Sequence, residues 1–217
     1  MSMTMPPLDT PQLLAIAAAL GWASGLRLYA VLFLTGLAGR LGWVDLPSGL
    51  VVLAHPVMLS ASGCMLLVEF FADKIPGLDS LWDLIHTLVR IPAGAALAAA
   101  VFDADPTVWT LAAALMGGTL AATSHIAKAT TRAAVNTSPE PFSNLGMSLL
   151  GDALVPTALW LSWTHPLLFA VLLAVAVLAM VGTIWWLGRF LRQLAARMSG
   201  WHSSPLQRMG PRREGAP

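Results

Sequence analysis

The sequence predicts an all-α polytopic membrane protein of about six transmembrane helices. Of the 217 residues, 57% are hydrophobic and only 11% are charged, whereas a soluble domain carries about 25% charged residues. Six stretches of the chain also reach the length of about 20 mainly apolar residues that a membrane-crossing helix needs. A water-facing globule is therefore excluded, because too few charges are present to cover its surface.

Short segments rich in proline, glycine and aspartate separate these stretches, as expected for turns. The segments lie at 45–49, 75–77, 103–106, 138–141 and 165–166. They delimit six predicted spans at 11–38, 50–72, 80–102, 107–129, 143–163 and 166–187. The resulting domain organisation is a single transmembrane domain at 11–197, an N-terminal cytoplasmic segment at 1–10 and a flexible cytoplasmic tail at 198–217.

The first predicted span contains small and polar residues near its midpoint. Ser24, Gly25 and Arg27 interrupt an otherwise apolar stretch at 11–38. Glycine and serine permit a helix break, and broken membrane helices expose backbone groups that bind ions. The sequence therefore predicts a broken first helix. The alternative is a long tilted helix in which Arg27 pairs with Asp152 or Glu69.

Lysines and arginines near the span ends predict the orientation, because cytoplasmic loops carry an excess of these residues. If both termini are cytoplasmic, the inner side holds Lys74, Lys128, Arg132 and the six arginines at 189–213, and the outer side holds Arg40. The opposite orientation inverts this bias. We therefore expect a protein of the inner membrane with both termini in the cytoplasm.

The second and third spans show a weak similarity to the fourth and fifth. Pairing Pro92 with Pro156 aligns Leu81 with Leu145, and both of these spans follow a proline-containing turn. This similarity suggests the hypothesis of an internal repeat of a helical hairpin. Repeats are common in transporter folds, but a repeat alone does not establish transport.

The third span carries the densest set of ionisable residues. Asp79, Asp83, His86 and Arg90 follow one another at spacings of four, three and four residues, which places them on one stripe of a helix. A charge within the hydrocarbon costs roughly 2.5–3.5 kcal/mol on insertion scales, so each charge needs a partner or a function. The alternatives to a functional role are helix capping by Asp79, a capping box of Ser80 with Asp83, and a structural ion pair for Arg90.

Neighbouring spans add further ionisable residues: Glu69 and Asp73 in the second, His125, Lys128 and Arg132 in the fourth, and Asp152 in the fifth. Glu69 is either a partner for a base of the third span or a proton-carrying carboxyl group. Lys128 and Arg132 have the alternative of extending to the inner headgroups. Asp152 has no local partner in the sequence. Together with the third span, these residues form the predicted site for a substrate, an ion or a proton relay.

Several classes of chemistry find no support in the sequence. It contains no glycine-rich phosphate loop, serine–histidine–aspartate series or haem motif, so we predict no catalytic residue and no cofactor. We also expect no metal site, because Arg90, Lys128 and Arg132 are candidates to neutralise the acids. The single Cys64 excludes an internal disulfide and a cysteine-based zinc site. A net charge of +1 provides no basic surface for a nucleic acid.

Three functional classes fit this pattern. The preferred hypothesis is a small transporter or channel-like permeation protein for a small solute or ion. Proton coupling is one option, because histidine titrates near neutrality, and an anion held by Arg27, Arg90 and Lys128 is another. The second class is a membrane scaffold or assembly protein whose charges form structural pairs. The third is an enzyme acting on a lipid-linked substrate at the inner leaflet. Expected partners are the lipid bilayer, a solute or ion and, as a further hypothesis, a second copy of the chain.

Four peptides resemble those of a known family. They are ASGLRLY at 23–29, VEFFADKIP at 68–76, DSLWDLIHT at 79–87 and TRAAVNTSPEP at 131–141. They are similar to peptides of a family of small bacterial inner-membrane proteins catalogued as a domain of unknown function. The resemblance covers residues 12–185. It implies a multi-pass membrane location and no particular activity.

Overall fold

The computed structural model describes residues 8–75, 77–102, 108–136 and 141–202, and this part of the chain is helical without strands. Six α-helices and one short 3-10 helix follow one another along the chain. They are α1 (Thr10–Arg40), the 3-10 helix (Ser48–Ala54), α2 (Pro56–Ala72), α3 (Leu78–Ala100), α4 (Val108–Val135), α5 (Pro141–Thr164) and α6 (Pro166–His202). The predicted all-α fold class is confirmed.

Helix α1 forms the centre of the bundle, and the other five α-helices pack around it. Every residue from Ala15 to Leu28 is buried. A helix that is apolar on all sides belongs in the interior of a protein, which explains why this segment shows no polar face. Asp9 caps the start of the helix by accepting a hydrogen bond from the Gln12 backbone N–H at 2.8 Å.

Small residues let α1, α3 and α4 approach one another closely. A Cβ atom added to Gly21 would lie 2.5 Å from the Gly117 Cα, and one added to Gly94 would lie 2.6 Å from the Ala121 Cβ. Side chains larger than hydrogen would therefore separate these helices. This close packing fixes how the three helices are rotated against one another, and so which of their side chains come into contact on either side of the glycines.

Four helical segments are long and apolar enough to cross a membrane: Thr10–Arg40, Val108–Val135, Leu145–Thr164 and Pro166–Gln193. The 3-10 helix and α2, bent by 70° at their junction, form a fifth candidate if they are one broken span. These segments suggest a membrane-spanning protein. By length and composition the structure supports four or five spans, whereas the sequence predicts about six.

The difference lies in α3, which was predicted as the third span but does not pass this test. Asp83 and Arg90 lie within it and lower its hydropathy, although both side chains are buried against the other helices. Its opposite face is exposed and apolar, with Leu84 71% and Leu88 83% exposed. Helix α3 therefore directs its polar stripe inward and its apolar stripe outward. At about 1.5 Å per residue its 23 residues are long enough to cross a membrane.

Helix α6 extends beyond the end of its apolar segment. The sixth span was predicted to end at 187, but the helix continues to His202. The first residues of the predicted tail at 198–217 are thus helical, while 203–217 lie outside the described residues, as do 1–7 of the predicted N-terminal segment. Arginine, glutamine, leucine and alanine favour helices, so the helix does not stop where the hydropathy falls.

Pro92 lies inside α3 and Pro156 inside α5, as the predicted hairpin repeat requires. In each of the two hairpins of the predicted repeat, α2 with α3 and α4 with α5, the two helices contact each other little and pack mainly on other helices. The internal repeat itself stays a prediction.

Candidate functional site

The backbone of α1 is interrupted at Arg27, which has the non-helical torsion angles φ −150° and ψ 87°. The interruption lies within the segment at 24–27 where a break was predicted. An extended residue inside a helix leaves nearby carbonyl groups without their intrahelical partners. The Leu26 carbonyl instead accepts a hydrogen bond from the Lys128 Nζ at 3.0 Å. The Trp22 carbonyl accepts one from the Ser124 hydroxyl at 2.7 Å.

The residues before the break are packed too closely for a larger side chain. A Cβ atom at Gly25 would overlap the Ser124 Oγ and the Ala121 carbonyl oxygen of α4. The Ser24 hydroxyl donates to the Leu20 carbonyl at 2.5 Å, one turn earlier in α1. Helix α4 is therefore held directly against the broken segment of α1.

Ionisable side chains from five helices or their ends meet beside this break. Ten ion pairs in the described part of the chain join them into one connected set, which we call the charged network. Its members are Arg27, Glu69, Asp73, Lys74, Asp79, Asp83, Arg90, Lys128, Arg132 and Asp152. Five of these are acids and five are bases, so their formal charges cancel.

Asp73, directly after α2, is shared by three cations and has no exposed side-chain surface. Its carboxylate lies 3.1 Å from the Arg27 Nη2, 3.1 Å from the Lys128 Nζ and 2.9 Å from the Arg132 Nη1. Arg27 in turn contacts Asp152 of α5 at 3.0 Å. Asp73 therefore links the broken helix to α4.

Asp83 of α3 is shared in the same way. Its carboxylate lies 2.6 Å from the Arg90 Nη1, 2.9 Å from the Arg132 Nη1 and 3.2 Å from the Lys128 Nζ. Arg90 also donates to the Glu69 Oε1 at 2.6 Å, and neither of these two side chains has exposed surface. The polar stripe of α3 is thus paired with bases of α4 and an acid of α2.

These contacts decide among the alternatives that the sequence left open. Asp79 is not the N-cap of α3, which is Gly77, but from the first turn its Oδ1 accepts hydrogen bonds from the Gly77 N–H at 2.9 Å and the Ser80 N–H at 2.6 Å. Asp83 binds cations and does not form a capping box with Ser80. Lys128 is directed into the network, where its Nζ lies 3.1 Å from Asp73 and only 10% of its side chain is exposed.

Arg132 shares that buried position, with only 3% of its side chain exposed. Asp152 lacks a partner nearby in sequence, but the fold supplies Arg27 and also Lys74 at 3.2 Å. Of the two acids considered for Arg27, Asp152 is its partner, whereas Glu69 pairs with Arg90.

The two predicted histidines lie at the edge of the network. His86 stacks on Trp82 with 4.0 Å between ring centroids, and its Nε2 lies 3.2 Å from the Tyr29 hydroxyl. His125 contacts the Thr87 hydroxyl through Nε2 at 2.8 Å and the Arg90 Nη1 through Nδ1 at 3.4 Å. In the tautomer that carries its proton on Nε2, this atom donates to Thr87 and Nδ1 accepts from Arg90, which can only donate.

Sequence analysis missed several members of this site. Lys74 was treated only as a marker of the membrane edge, and Tyr29, Thr87 and Ser148 received no role. Ser148 binds the Arg27 Nη2 through its hydroxyl at 2.9 Å and through its carbonyl at 3.1 Å. Only one feature of the sequence could have pointed to Thr87 and Ser148, namely a polar side chain within an apolar helix. This feature is weak evidence of a site, because serine and threonine often form hydrogen bonds with the backbone of their own helix.

A cavity of about 180 Å³ opens beside the network between α1, α4, α5 and α6. The charged residues that line it are Arg27, Asp73, Lys128 and Arg132. Of the predicted site residues, Asp73, Lys128 and Arg132 therefore reach the cavity, together with Arg27 of the break. The charged network can thus contact a small guest molecule.

The acids of the network form ion pairs with bases, and this pairing limits their ability to bind a metal ion. Within the described residues, no group of three or more His, Cys, Asp or Glu is arranged to hold a metal ion. Divalent cations need carboxylate oxygens that are free to coordinate, and Asp73 and Asp83 each contact three cations. The arrangement is better suited to exchanging hydrogen bonds and protons or to holding an anion.

Comparison with known protein families places the chain in one of them. Residues 14–186 match the family described as Domain of unknown function (DUF4126), and the chain therefore belongs to this family. This confirms the predicted membership of a family catalogued as a domain of unknown function. Comparison with the curated proteins and with the solved structures finds no match.

Proposed function

We propose that this member of the family is a small transporter or channel-like permeation protein for a small solute or ion, with proton coupling as an option. The observation that carries the proposal is the convergence at Arg27. There a broken apolar helix, a buried charged network and a cavity of about 180 Å³ come together. Broken membrane helices near the centre of a bundle are typical of the binding sites of transporters.

The sharing of charges among several residues supports a permeation function over a purely structural role. A structural link between two helices needs one ion pair, but Asp73 and Asp83 each contact three cations. Two of those cations, Lys128 and Arg132, serve both acids. A shared cation can shift from one acid to the other at little cost in free energy, because each acid keeps another cation as its partner. Such exchange would let a solute or proton displace one contact without leaving a charge unpaired.

Proton coupling is supported by the hydrogen bonds around His125. Its Nε2 proton is directed to the Thr87 hydroxyl at 2.8 Å, and that hydroxyl donates to the Asp83 carbonyl at 2.9 Å. The other ring nitrogen faces Arg90 of the network. Because Nδ1 faces the Arg90 guanidinium, uptake of a second proton by His125 would require Arg90 to move away, which would couple protonation to a change in the charged network.

We further propose that the protein lies in a bacterial inner membrane with both termini in the cytoplasm. The support is the distribution of lysine and arginine, which is concentrated on one side of the proposed topology. In this orientation the loop at 41–47 faces outward, and the end of α4 at Val135 faces the cytoplasm.

Reconstitution into proteoliposomes tests the function. We expect solute-dependent flux, or a change in internal pH reported by a trapped dye, across a panel of inorganic ions and small carboxylates. Asp152→Asn should reduce the flux, because it removes one charged partner of both Arg27 and Lys74. Asp45→Asn is the matched control, since Asp45 is exposed in the loop after α1. Absence of flux across the whole panel, with folded protein, would contradict the proposal.

A scaffold or assembly protein is the second candidate, and the equal number of acids and bases favours it. Glu69 and Arg90 form a pair without exposed surface, which is also what a purely structural contact requires. Exchanging the two residues, as Glu69→Arg with Arg90→Glu, separates the candidates. Full activity in the living cell after the exchange would favour the scaffold, whereas a stable but inactive protein would favour permeation.

A further inference from the structure

We propose that the cavity beside Arg27 binds a small anion with an apolar body, of the class of aromatic or short-chain monocarboxylates. This inference rests on the proposed function, because it names the class of solute that the permeation site would take. It also makes a separate statement about equilibrium binding. Its test can therefore fail while transport of another solute succeeds.

The charges that line the cavity favour an anion. Arg27, Lys128 and Arg132 face it together with a single carboxylate, that of Asp73. The other acids that pair with these bases, Asp83 and Asp152, are not among the lining residues. The polar wall of the cavity is therefore richer in hydrogen-bond donors than in acceptors, and arginine is well suited to bind a carboxylate.

Arg27 itself has a buried nitrogen that lacks a partner. Among the described residues, the four hydrogen bonds and ion pairs of Arg27 all end on Nη2, which contacts the Ser148 carbonyl, the Ser148 hydroxyl, Asp73 and Asp152. The Nη1 atom is buried and has no hydrogen-bond partner. Only 1% of Arg27 is exposed, and a buried donor without an acceptor is costly. A carboxylate oxygen in the cavity would satisfy it.

Most of the remaining wall of the cavity is apolar, and its other polar residues are Thr131, Ser148 and Thr183. Leu26, Met147, Leu150, Leu154 and Met180 line it from α1, α5 and α6. A fully hydrated or purely polar anion such as inorganic phosphate would place oxygen atoms against this wall without hydrogen bonds, which is unfavourable. An anion with an apolar part would contact both walls, with its charge at Arg27 and its body against the leucines and methionines.

The size of the cavity sets the size of the guest. A volume of about 180 Å³ is slightly larger than that of an apolar cavity of about 150 Å³ that holds benzene. The cavity therefore matches one aromatic ring or a short alkyl chain together with its carboxylate. Benzoate is a suitable probe of this class, and benzamide is its neutral counterpart of nearly the same shape.

Isothermal titration of the purified protein in phosphatidylcholine nanodiscs tests the inference. We expect saturable binding of benzoate at one site per chain, with benzamide at least tenfold weaker and inorganic phosphate without measurable binding. Equal affinities for benzoate and benzamide would overturn the proposal, because the charge at Arg27 would then play no part. No saturable binding of benzoate would overturn it as well.

A pair of glycine substitutions on α5 locates the site. A Cβ atom at Gly151 would lie 3.4 Å from the Arg27 Nε at the edge of the cavity, whereas one at Gly146 would meet nothing within 4 Å. Gly151→Leu should therefore abolish benzoate binding, and Gly146→Leu should leave it unchanged. If Gly151→Leu does not fold, Leu154→Trp fills the cavity from its apolar wall, with the exposed Leu149→Trp as control. Unchanged binding in folded Gly151→Leu or in folded Leu154→Trp would overturn the proposal.

A further arm distinguishes a free solute from a lipid headgroup, since an anionic phospholipid also joins a charge to an apolar body. Benzoate binding should persist in nanodiscs that contain phosphatidylglycerol. Its loss there would assign the cavity to a lipid and overturn the solute form of the proposal. Benzoate binding without any flux would contradict the transport function alone, and flux of another solute without benzoate binding would contradict this inference alone.

Discussion

The ion pair between Glu69 and Arg90 illustrates how each charge of the network depends on its partner. Glu69 has one ion-pair partner in the described part of the chain, at 2.6 Å, and neither side chain has exposed surface. Removing one member of a buried pair leaves an uncompensated charge, which costs more than the pair contributes. The network is therefore sensitive to single substitutions and more tolerant of paired ones.

Arg90→Gln should lower the free energy of unfolding by about 3–5 kcal/mol, because Glu69 has no other ion-pair partner in the described part of the chain, whereas Glu69→Gln should cost less because Arg90 keeps Asp83. The double variant Glu69→Gln with Arg90→Gln should lose less than the sum of the two single variants, because no charge then remains without its partner. Unfolding of the purified protein in mixed detergent micelles measures all three values. Additive losses would show that the two residues do not depend on each other.

Gly25 is required by the contact between α1 and α4. Gly25→Ala should destabilise the protein by about 1–3 kcal/mol, because the added Cβ would overlap the Ser124 hydroxyl and the backbone of Ala121. Gly182→Ala on α6 is the matched control, since a Cβ there meets nothing within 4 Å. The control should be neutral or slightly stabilising, because glycine weakens a helix interior. The same unfolding measurement compares the two variants, and equal effects would contradict the close contact.

At the scale of elements, the break in α1 depends on side chains that α4 supplies. Lys128 donates to the Leu26 carbonyl at 3.0 Å and contacts both Asp73 and Asp83. The Ser124 hydroxyl binds the Trp22 carbonyl in the same way. Helix α4 thus supplies a donor to the Leu26 carbonyl beside the interruption and a second donor to the Trp22 carbonyl one turn earlier, which helps a broken helix to persist in an apolar interior.

Lys128→Met tests this role of α4. Methionine is similar in length but cannot donate to the Leu26 carbonyl, so we expect faster amide hydrogen exchange in peptides that contain residues 24–31. Lys74→Met is the control, because Lys74 pairs with Asp152 but makes no hydrogen bond to the α1 backbone within the described residues. Hydrogen–deuterium exchange with mass spectrometry measures both. Equal protection in the wild type and Lys128→Met would contradict the stabilisation of the break by α4.

At the scale of the whole molecule, the number of membrane crossings depends on α3. Its charged stripe removes it from the segments that length and composition identify as spans. The same stripe is buried on α2 and α4, and the outward face is apolar. A bundle that buries its polar residues in the centre and exposes leucine and valine is arranged for a surrounding lipid phase. We therefore expect α3 to cross the membrane.

Cysteine labelling tests the crossing. In a Cys64→Ala background, Asp45→Cys lies after α1 and Asn136→Cys lies after α4, and both positions are exposed. Three helices separate them if α3 crosses, so a membrane-impermeant maleimide added to intact cells should label position 45 and spare position 136. If α3 does not cross, the two positions lie on the same side and should react alike. Permeabilised cells, in which both should be labelled, provide the control.

The helices and the composition of the site follow from local properties of the sequence. Apolar length predicts the spans, the spacing of Asp83, His86 and Arg90 predicts a common stripe, and Ser24 with Gly25 predicts the interruption. Each of these depends on residues within one helix, where a period of 3.6 residues determines what shares a face. The exact helix ends were predicted less well, because α6 continues through residues that favour helices without being apolar.

The partners of each charge could not be predicted, because they depend on how separate helices are rotated against one another. The sequence left Arg27 with Asp152 or Glu69, and the fold joins it to Asp152 and Asp73. Glycines fix the close approach of α1, α3 and α4, but the acids that bind Arg27 come from α5 and from the end of α2. The hydropathy of a segment predicts that the segment is buried, but it does not predict which neighbouring helix packs against it. The cavity beside Arg27 likewise exists only between helices, and no single segment encodes it.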